Sequence, residues 1–238
     1  MGSREFVSGE IVLPPVALLP AAERRRTGPA VRLAVAVGLE ALAQAGREAC
    51  DMATVFTSSG GDGDTIDAIL CKLAGEQREI SPTRFHNSVH NAPSGYWALA
   101  CKATAPSTSL CGFDGSFGVG LLDAACQCTV DDVPVTLISY DLPYPIPLQA
   151  VRPIVSTFAC ALVLTPRRTE GSLAALEVAL DHGGADGTRL RDAALEALRL
   201  SNPAARSLPL LAAIACGGGE VRIEGIADAV VSVRVSPC

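Results

Sequence analysis

Aromatic and charged side chains are both scarce in this sequence: one Trp, three Tyr and six Phe, with Asp, Glu, Lys and Arg together at 18% of 238 residues. Apolar residues make up 49%, a mix that suits packed small-residue α/β layers and not a disordered chain. No uninterrupted apolar run approaches the ~18 residues of a membrane span, and the N-terminus lacks the charged-then-apolar pattern of a secretory leader. A net charge of −6 argues against broad binding to nucleic acid or membrane surfaces. There is no tandem repeat, no low-complexity linker, no second cysteine pair at zinc-finger spacing, no G-K-[ST] and no G-x-S-x-G. These absences leave one compact α/β domain over residues 1–238 as the expected architecture, in a reducing, cytoplasmic setting, with no metal and no cofactor.

Nine cysteines are present. Cys50, Cys71, Cys101, Cys160 and Cys216 each sit among Ala, Leu or Val, the setting of small buried hydrophobes. Cys126 and Cys128 form a lone C-x-C. Arg24, Arg25 and Arg26 are the one dense basic cluster, read first as a solvated helix approach and second as a dock for an acidic partner or phosphate.

Three prolines break residues 11–20 into an extended surface segment. Thr27-Gly28-Pro29 opens a helix over residues 30–50, with small and aliphatic residues at helical spacing. Residues 53–58 are a buried strand. The glycine loop after it, residues 60–64, fits no phosphate-binding pattern, because two acids stand where a phosphate would be cradled. Asp64 is expected to cap the helix of residues 65–74, whose Ile66, Ile69, Leu70 and Leu73 share a face. Residues 133–140 and 155–164 are further strands, separated by an irregular loop rich in proline. Residues 173–180 read equally as helix or strand, residues 188–199 as helix, and residues 220–235 as a closing hairpin.

Two stretches concentrate chemistry-bearing residues. Residues 81–97, SPTRFHNSVHNAPSGYW, hold two of the three His, the only Trp and one Tyr. His86 and His90 have the four-residue spacing of a helical zinc pair, but no Glu follows the first and no third ligand is evident. Polar hydrogen bonding at a packed surface is the preferred role. Asn91 or Ser94 is expected to cap the helix that follows. Residues 106–125, PSTSLCGFDGSFGVGLLDAA, read as a short strand, a Gly-rich bend and a small-residue helix, the kind of elbow at which covalent enzymes expose a nucleophile. Its tip is Phe113 or Asp114, neither a good nucleophile, and Cys111 stands just before it.

The stretches SPTRFHNSVHNAPSGYW, PPVALLPAAERRR, STSLCGFDGSF and NPAARSLPLL make the chain resemble ketosynthase-like proteins of the thiolase superfamily, and within it the beta-ketoacyl synthase chain length factors of aryl polyene-type pathways. The resemblance implies an α/β fold of the thiolase type, one half of it, with a mixed five-stranded sheet covered by helices. In catalytic members a cysteine at the elbow takes the acyl chain, and two downstream polar residues, His with His or Asn, assist decarboxylation and carbon–carbon bond formation. The register of the elbow helix puts Asp114 at the cysteine's position, where a carboxylate is a poor acyl acceptor but an excellent helix cap. The only His after Pro166 is His182, in an HGGADG loop without catalytic surroundings.

The resemblance therefore implies a non-catalytic chain length factor in fatty-acid- or polyketide-type biosynthesis. Such a subunit pairs with an active ketosynthase as a heterodimer, meets an acyl carrier protein through that complex, and shapes the pocket that limits acyl or polyene growth. The residues expected at the pocket and interface are Phe85, His86, Asn87, His90, Asn91, Tyr96 and Trp97, with Phe113 and Asp114 at the elbow; the plainer alternative is that they fill the chain's own core. The rival function is an acyltransferase or condensing enzyme acting through Cys111, which would need a nearby base or helix N-terminus to activate it. A serine hydrolase ranks last, since Ser116 lies in D-G-S-F-G.

Overall fold

Strands β1 (Ala53–Thr57) and β3 (Val135–Asp141) are buried along their whole length, which requires a sheet covered on both faces. They lie parallel, with β2 (Ser107–Leu110) parallel on the outer side of β1 and β4 (Phe158–Leu164) antiparallel beyond β3. The order is β2-β1-β3-β4. The structure is a computed structural model and describes residues 6, 7, 9, 11–76, 78–182 and 186–238.

Helices α1 (Ala21–Arg24) and α2 (Pro29–Ala45) precede β1, and α3 (Gly63–Ala74), α4 (Pro82–Asn87) and α5 (Ala92–Cys101) stand between β1 and β2. After the elbow come α6 (Ser116–Val130) and, in the proline-rich loop, α7 (Ile146–Gln149). The last third adds β5 (Ala174–His182), α8 (Ala193–Ser201), α9 (Leu208–Ala215), β6 (Gly219–Glu224) and β7 (Ala229–Pro237).

Successive residues on a strand point to opposite faces, so each central strand feeds two cores. Phe56, Ile138 and Tyr140 pack with Leu33 and Val35 of α2 and Trp97 of α5. Val55 and Leu137 face the other way, onto Phe117, Leu121 and Ala124 of α6 and Leu210 of α9. Beyond α6 and α9 lies a second sheet, whose Val221, Ile223, Val231 and Val233 complete that core. The layers run helix, sheet, helix, sheet.

This arrangement corrects the expected single five-stranded sheet: a four-stranded mixed sheet is followed by a separate three-stranded antiparallel one, in the order β5-β7-β6. The burial of β5 shows why. Its residues largely alternate between half-buried and exposed, so one face is wet, and such a strand cannot join a sheet covered on both sides. The same strand settles the ambiguity at residues 173–180.

Other expectations shift locally. The helix of residues 30–50 ends at Ala45, because Gly46 takes a left-handed φ of 62° and the Arg47 N–H closes back on the Leu42 carbonyl. Asp62, not Asp64, caps α3, its Oδ1 accepting from the Thr65 N–H at 3.0 Å. Asn91 holds the N-cap position of α5 without a side-chain bond, and the Ser94 hydroxyl donates to its carbonyl. Cys128 and Cys160 are buried, but Cys71 and Cys216 are exposed, so neighbouring Ala and Leu did not place them in a core. Residues 183–185 of the HGGADG loop lie outside the described residues.

Buried polar groups tie the layers together. Arg199, 3% exposed, donates to Glu196 and to Glu224, and Arg206 donates to the same Glu224 carboxylate, joining α8 to β6. At the end of β3 the Asp141 Oδ1 accepts from the Ser58 hydroxyl at 3.1 Å, the Ser59 N–H at 2.9 Å and the Ser59 hydroxyl at 2.8 Å. Asn202 donates to the Ser156 carbonyl at 2.8 Å, fastening the turn after α8 to the irregular segment that leads into β4. Burial pushes the Asp141 carboxyl up to about 6 against these three hydrogen bonds, so desolvation outweighs them.

Two measurements check this account. Helix α6 lies so close to the second sheet that a Cβ on Gly118 would stand 2.4 Å from the Glu224 carbonyl oxygen, a backbone atom with nowhere to go. Gly118→Ala is expected to cost about 1–3 kcal/mol in thermal unfolding, whereas Gly95→Ala, in open space on α5, should be neutral or stabilising by about 0.5–1 kcal/mol. For Asp141 the folded pKa lies above the unfolded value near 3.9, so the native state holds the proton more tightly. Its contribution to stability is full below pH 4 and is lost as pH rises to about 6, by on the order of 2–3 kcal/mol. Asp141→Asn keeps an acceptor oxygen and removes the titration. Urea unfolding between pH 4 and 7 should lose that slope in the variant; an identical slope in both proteins would contradict the assignment.

Candidate functional site

In open sheets with parallel strands, sites form beyond the carboxyl ends of the strands. Here those ends are residues 58–61 after β1, the elbow after β2, and Asp141 with residues 142–155 after β3. Side chains from other segments hold the first of these on every side. The Ser58 carbonyl meets His90 Nε2 at 3.0 Å, the Ser59 carbonyl accepts from the Cys111 thiol at 3.1 Å, and the Gly61 N–H donates to the Ser58 hydroxyl at 2.9 Å. Gly60 has no room for a side chain, because a Cβ would lie 1.9 Å from Tyr144 Oη.

The elbow is the expected strand–turn–helix. Its tip is Phe113, with φ of 53°, a left-handed conformation costly for a residue with a bulky side chain. Ser116 supports the turn from below: its hydroxyl donates to the Phe113 carbonyl at 2.7 Å and accepts from the Gly112 N–H at 3.0 Å. Thr57 Oγ1 donates to the Ser116 carbonyl at 2.7 Å, pinning the start of α6 to the end of β1.

Asp114 does not cap α6. Gly115 holds the N-cap position with no side-chain bond, and the Asp114 carboxylate turns outward to accept from Arg152 Nη2 at 2.7 Å. The Arg152 guanidinium lies over Phe113, its Cζ 3.4 Å from the ring centroid, with the Tyr144 ring centroid 5.9 Å away. Its Nε and Nη1 are buried without a hydrogen-bond partner among the described residues. A stacked guanidinium contributes about 0.5–2 kcal/mol, against about 1–3 kcal/mol for buried donors left unpaired. The contact is near balance.

Cys111 is exposed beside this cluster. A thiol that donates to a carbonyl must give up that bond to become a thiolate, and among the described residues its hydrogen-bond partner is the Ser59 carbonyl and not a base.

The residues of 81–97 divide by direction. Tyr96 and Trp97 are 2% and 1% exposed and belong to the core beneath the sheet, out of reach of the isolated chain's surface. Asn87 is also buried, donating to the Arg26 carbonyl at 2.7 Å and accepting from the Tyr96 hydroxyl at 3.2 Å. Phe85, His86 and Asn91 face solvent, with the His86 ring edge-on to Tyr96 at 5.8 Å. His90 lies past the end of α4, so the histidine pair does not share a helical face. Among the described residues no group of three or more His, Cys, Asp or Glu could hold a metal, and no helix is long and apolar enough to cross a membrane.

Sequence reasoning missed Arg152, Tyr144, Ser58, Ser59 and Asn202. Asp141, an acid closing an apolar strand, carried a readable signal. Arg152 sits in a proline-broken loop and carried none.

Exposed apolar side chains stand on each of α3, α4 and α5. Leu70 and Leu73 of α3, half of the apolar face the spacing predicts, are exposed together with Phe85 of α4 and Val89 just after it. The outer stripe of α5 adds Gly95, Ala98 and Leu99, next to β2, where the Ser94 hydroxyl meets that of Ser109 at 3.3 Å. Strand β2 is the edge of its sheet.

No curated protein matches the chain. Among solved structures it is 25% identical, with a TM-score of 0.69, to a chain of the ketosynthase ApeO in complex with its chain length factor ApeC from Xenorhabdus doucetiae, covering 91% of this chain and 81% of that one. The ishigamide ketosynthase/chain length factor shares the fold at 12% identity and a TM-score of 0.66, over 92% of this chain and 83% of that one. So does a beta-ketoacyl synthase from Burkholderia phymatum STM815, at 16% identity and a TM-score of 0.60, over 82% of this chain and 57% of that one. Residues 3–215 match the family model of the beta-ketoacyl synthase N-terminal domain, and with the thiolase-like layering and its strand–elbow–helix this chain belongs to the beta-ketoacyl synthase family.

Proposed function

We propose that the chain is a non-catalytic chain length factor, a single domain of ketosynthase type that pairs with an active ketosynthase and shapes its acyl or polyene pocket. The observation that carries this reading is the set of apolar side chains exposed on α3, α4 and α5 of the isolated chain, with β2 at the edge of its sheet. Exposed apolar residues gathered on adjacent elements mark a protein contact more often than chance exposure does, and a free strand edge offers unpaired backbone groups to a second chain. The elbow supports the non-catalytic half of the proposal: its tip is Phe113, its acid is engaged by Arg152, and its nearest thiol is a hydrogen-bond donor.

In this reading Phe85, His86 and Asn91 meet the partner directly. Asn87, His90, Tyr96 and Trp97 act from beneath, holding α4 and α5 in place. The solved complex of a ketosynthase with its chain length factor among the similar structures favours a heterodimer. An acyl carrier protein would be met through that complex, in aryl polyene-type synthesis and in a reducing cytoplasm suited to nine unpaired cysteines.

Co-expression with an active ketosynthase of the aryl polyene type is expected to yield a complex by size exclusion and a product distribution that differs from the ketosynthase alone. Phe85→Asp, at a position 65% exposed in the isolated chain, should fold normally and weaken association at least tenfold, about 1.4 kcal/mol. Trp97→Ala should instead lower stability by about 3–5 kcal/mol. Unchanged association of Phe85→Asp would remove α4 from the contact. Incubation with acyl carrier thioesters should leave Cys111 unmodified by mass spectrometry. A stable adduct there, absent from Cys111→Ala, would establish the acyltransferase reading instead.

A further inference from the structure

We propose that β5 is a docking edge for a second copy of this chain, the two β5 strands pairing antiparallel about Val178 so that their three-stranded sheets join edge to edge. The inference is independent of the pairing proposed above, which draws on β2 in the other sheet.

The two edges of the second sheet are finished differently. At β6 the chain covers its own edge: the Thr188 N–H donates to the Arg222 carbonyl at 2.8 Å, and the Arg222 N–H donates to the Thr188 hydroxyl at 2.8 Å. Among the described residues β5 pairs with β7 alone, over all nine of its residues and without a bulge. It contains no Pro and no Lys, two residues that commonly keep an edge from pairing. Ala174, Leu176 and Val178 reach the shared core but stay half-buried, and Leu180, on the same side of the strand, is 46% exposed. A further strand laid along this edge would cover them.

The order of residues in β5 says which strand fits. With Val178 opposite its own copy, all nine residues from Ala174 to His182 are paired. Leu176 then meets Leu180, Ala174 meets His182, Ala175 meets Asp181 and Glu177 meets Ala179, each contact occurring twice as a twofold axis requires. A one-residue slip would set the core face of one copy beside the outer face of the other. The neighbouring registers that keep the faces together are centred on Glu177, which opposes that residue to its copy, or on Ala179, which opposes Glu177 to Asp181. Like charges directly opposite each other are destabilising. The register that pairs the whole strand is thus also the one that keeps the acids apart.

One pair of strands makes a small contact, of the transient class below about 1,200 Å², so the dimer should form reversibly as concentration rises. Sedimentation equilibrium of the full chain over a wide concentration range reads this directly. Ala179 is exposed on the outer face and faces Glu177 of the second copy in the proposed register. Ala179→Glu would create two Glu–Glu pairs across the axis and should raise the dissociation constant roughly two- to thirtyfold. Ala179→Lys would create two Lys–Glu pairs and should lower it by a similar factor, an effect that shrinks in high salt. Opposite shifts from one site guard against misfolding, which would move both variants the same way, and far-UV circular dichroism checks the fold of each. The proposal fails if the wild type stays monomeric throughout, if both substitutions shift the equilibrium in the same direction, or if a dimer forms that responds to neither, which would place the contact on another face.

Discussion

A carboxylate sealed from water governs the open end of the central sheet. Asp141 closes a strand buried on both faces, and one of its oxygens gathers two hydroxyls and a backbone N–H from residues 58 and 59. Holding a charge there opposes its hydration, so the carboxyl keeps its proton to higher pH than a free one. The gain is positional. Once the loop after β1 is fixed, its two carbonyls point outward to receive His90 from the turn before α5 and Cys111 from the end of β2. The bare Cα of Gly60 then leaves the hollow that Tyr144 fills. Three segments far apart in sequence thus take their register from one buried acid.

The elbow has the strand–turn–helix form of a nucleophile site, and packing by itself accounts for that form. A Cβ on Gly115 would stand 2.1 Å from the Gly225 carbonyl oxygen, so α6 is pressed against the backbone following β6. Relaxing the left-handed turn at Phe113 would swing that helix and part the two sheets. Backbone strain at such a residue costs on the order of 1–3 kcal/mol, less than unseating a helix that carries Phe117, Leu121 and Ala124 in the shared core. The turn persists because the second sheet leans on it.

What the sequence made legible follows from how local each cause was. Strands β1 and β3 and the closing hairpin were readable because apolar β-branched runs between glycine and proline have one stable use. The elbow was readable as a shape, since Gly112 and Gly115 flank its tip. The division of strands between two sheets was not, because it depends on which face of β5 meets water. Asp114 was read as a cap because the first turn of a helix attracts acids; a long-range cation competed for it, and Arg152 lies 38 residues away. Leu70 and Leu73 showed a correct helical stripe that the described residues leave exposed. Periodicity reports that a face is apolar and is silent about what covers it.

The stretch from Ser81 to Trp97 joins these lessons. Its aromatic residues looked like one surface because they are neighbours in sequence, yet a helix sends neighbours in different directions. Trp97 meets Phe56 edge-on at 6.0 Å inside the core, while Leu99, two positions on, is 60% exposed. The buried half dictates the exposed half. Asn87 bridges the Arg26 carbonyl and the Tyr96 hydroxyl, and His86 rests edge-on against the same Tyr96, so α4 cannot turn without breaking contacts made underneath. A surface held this way is already ordered, and a partner that bound it would cost less conformational freedom than one that bound a flexible loop. The buried and exposed halves of this segment are therefore one construction, with the Tyr96 ring and its hydroxyl as the hinge pin between them.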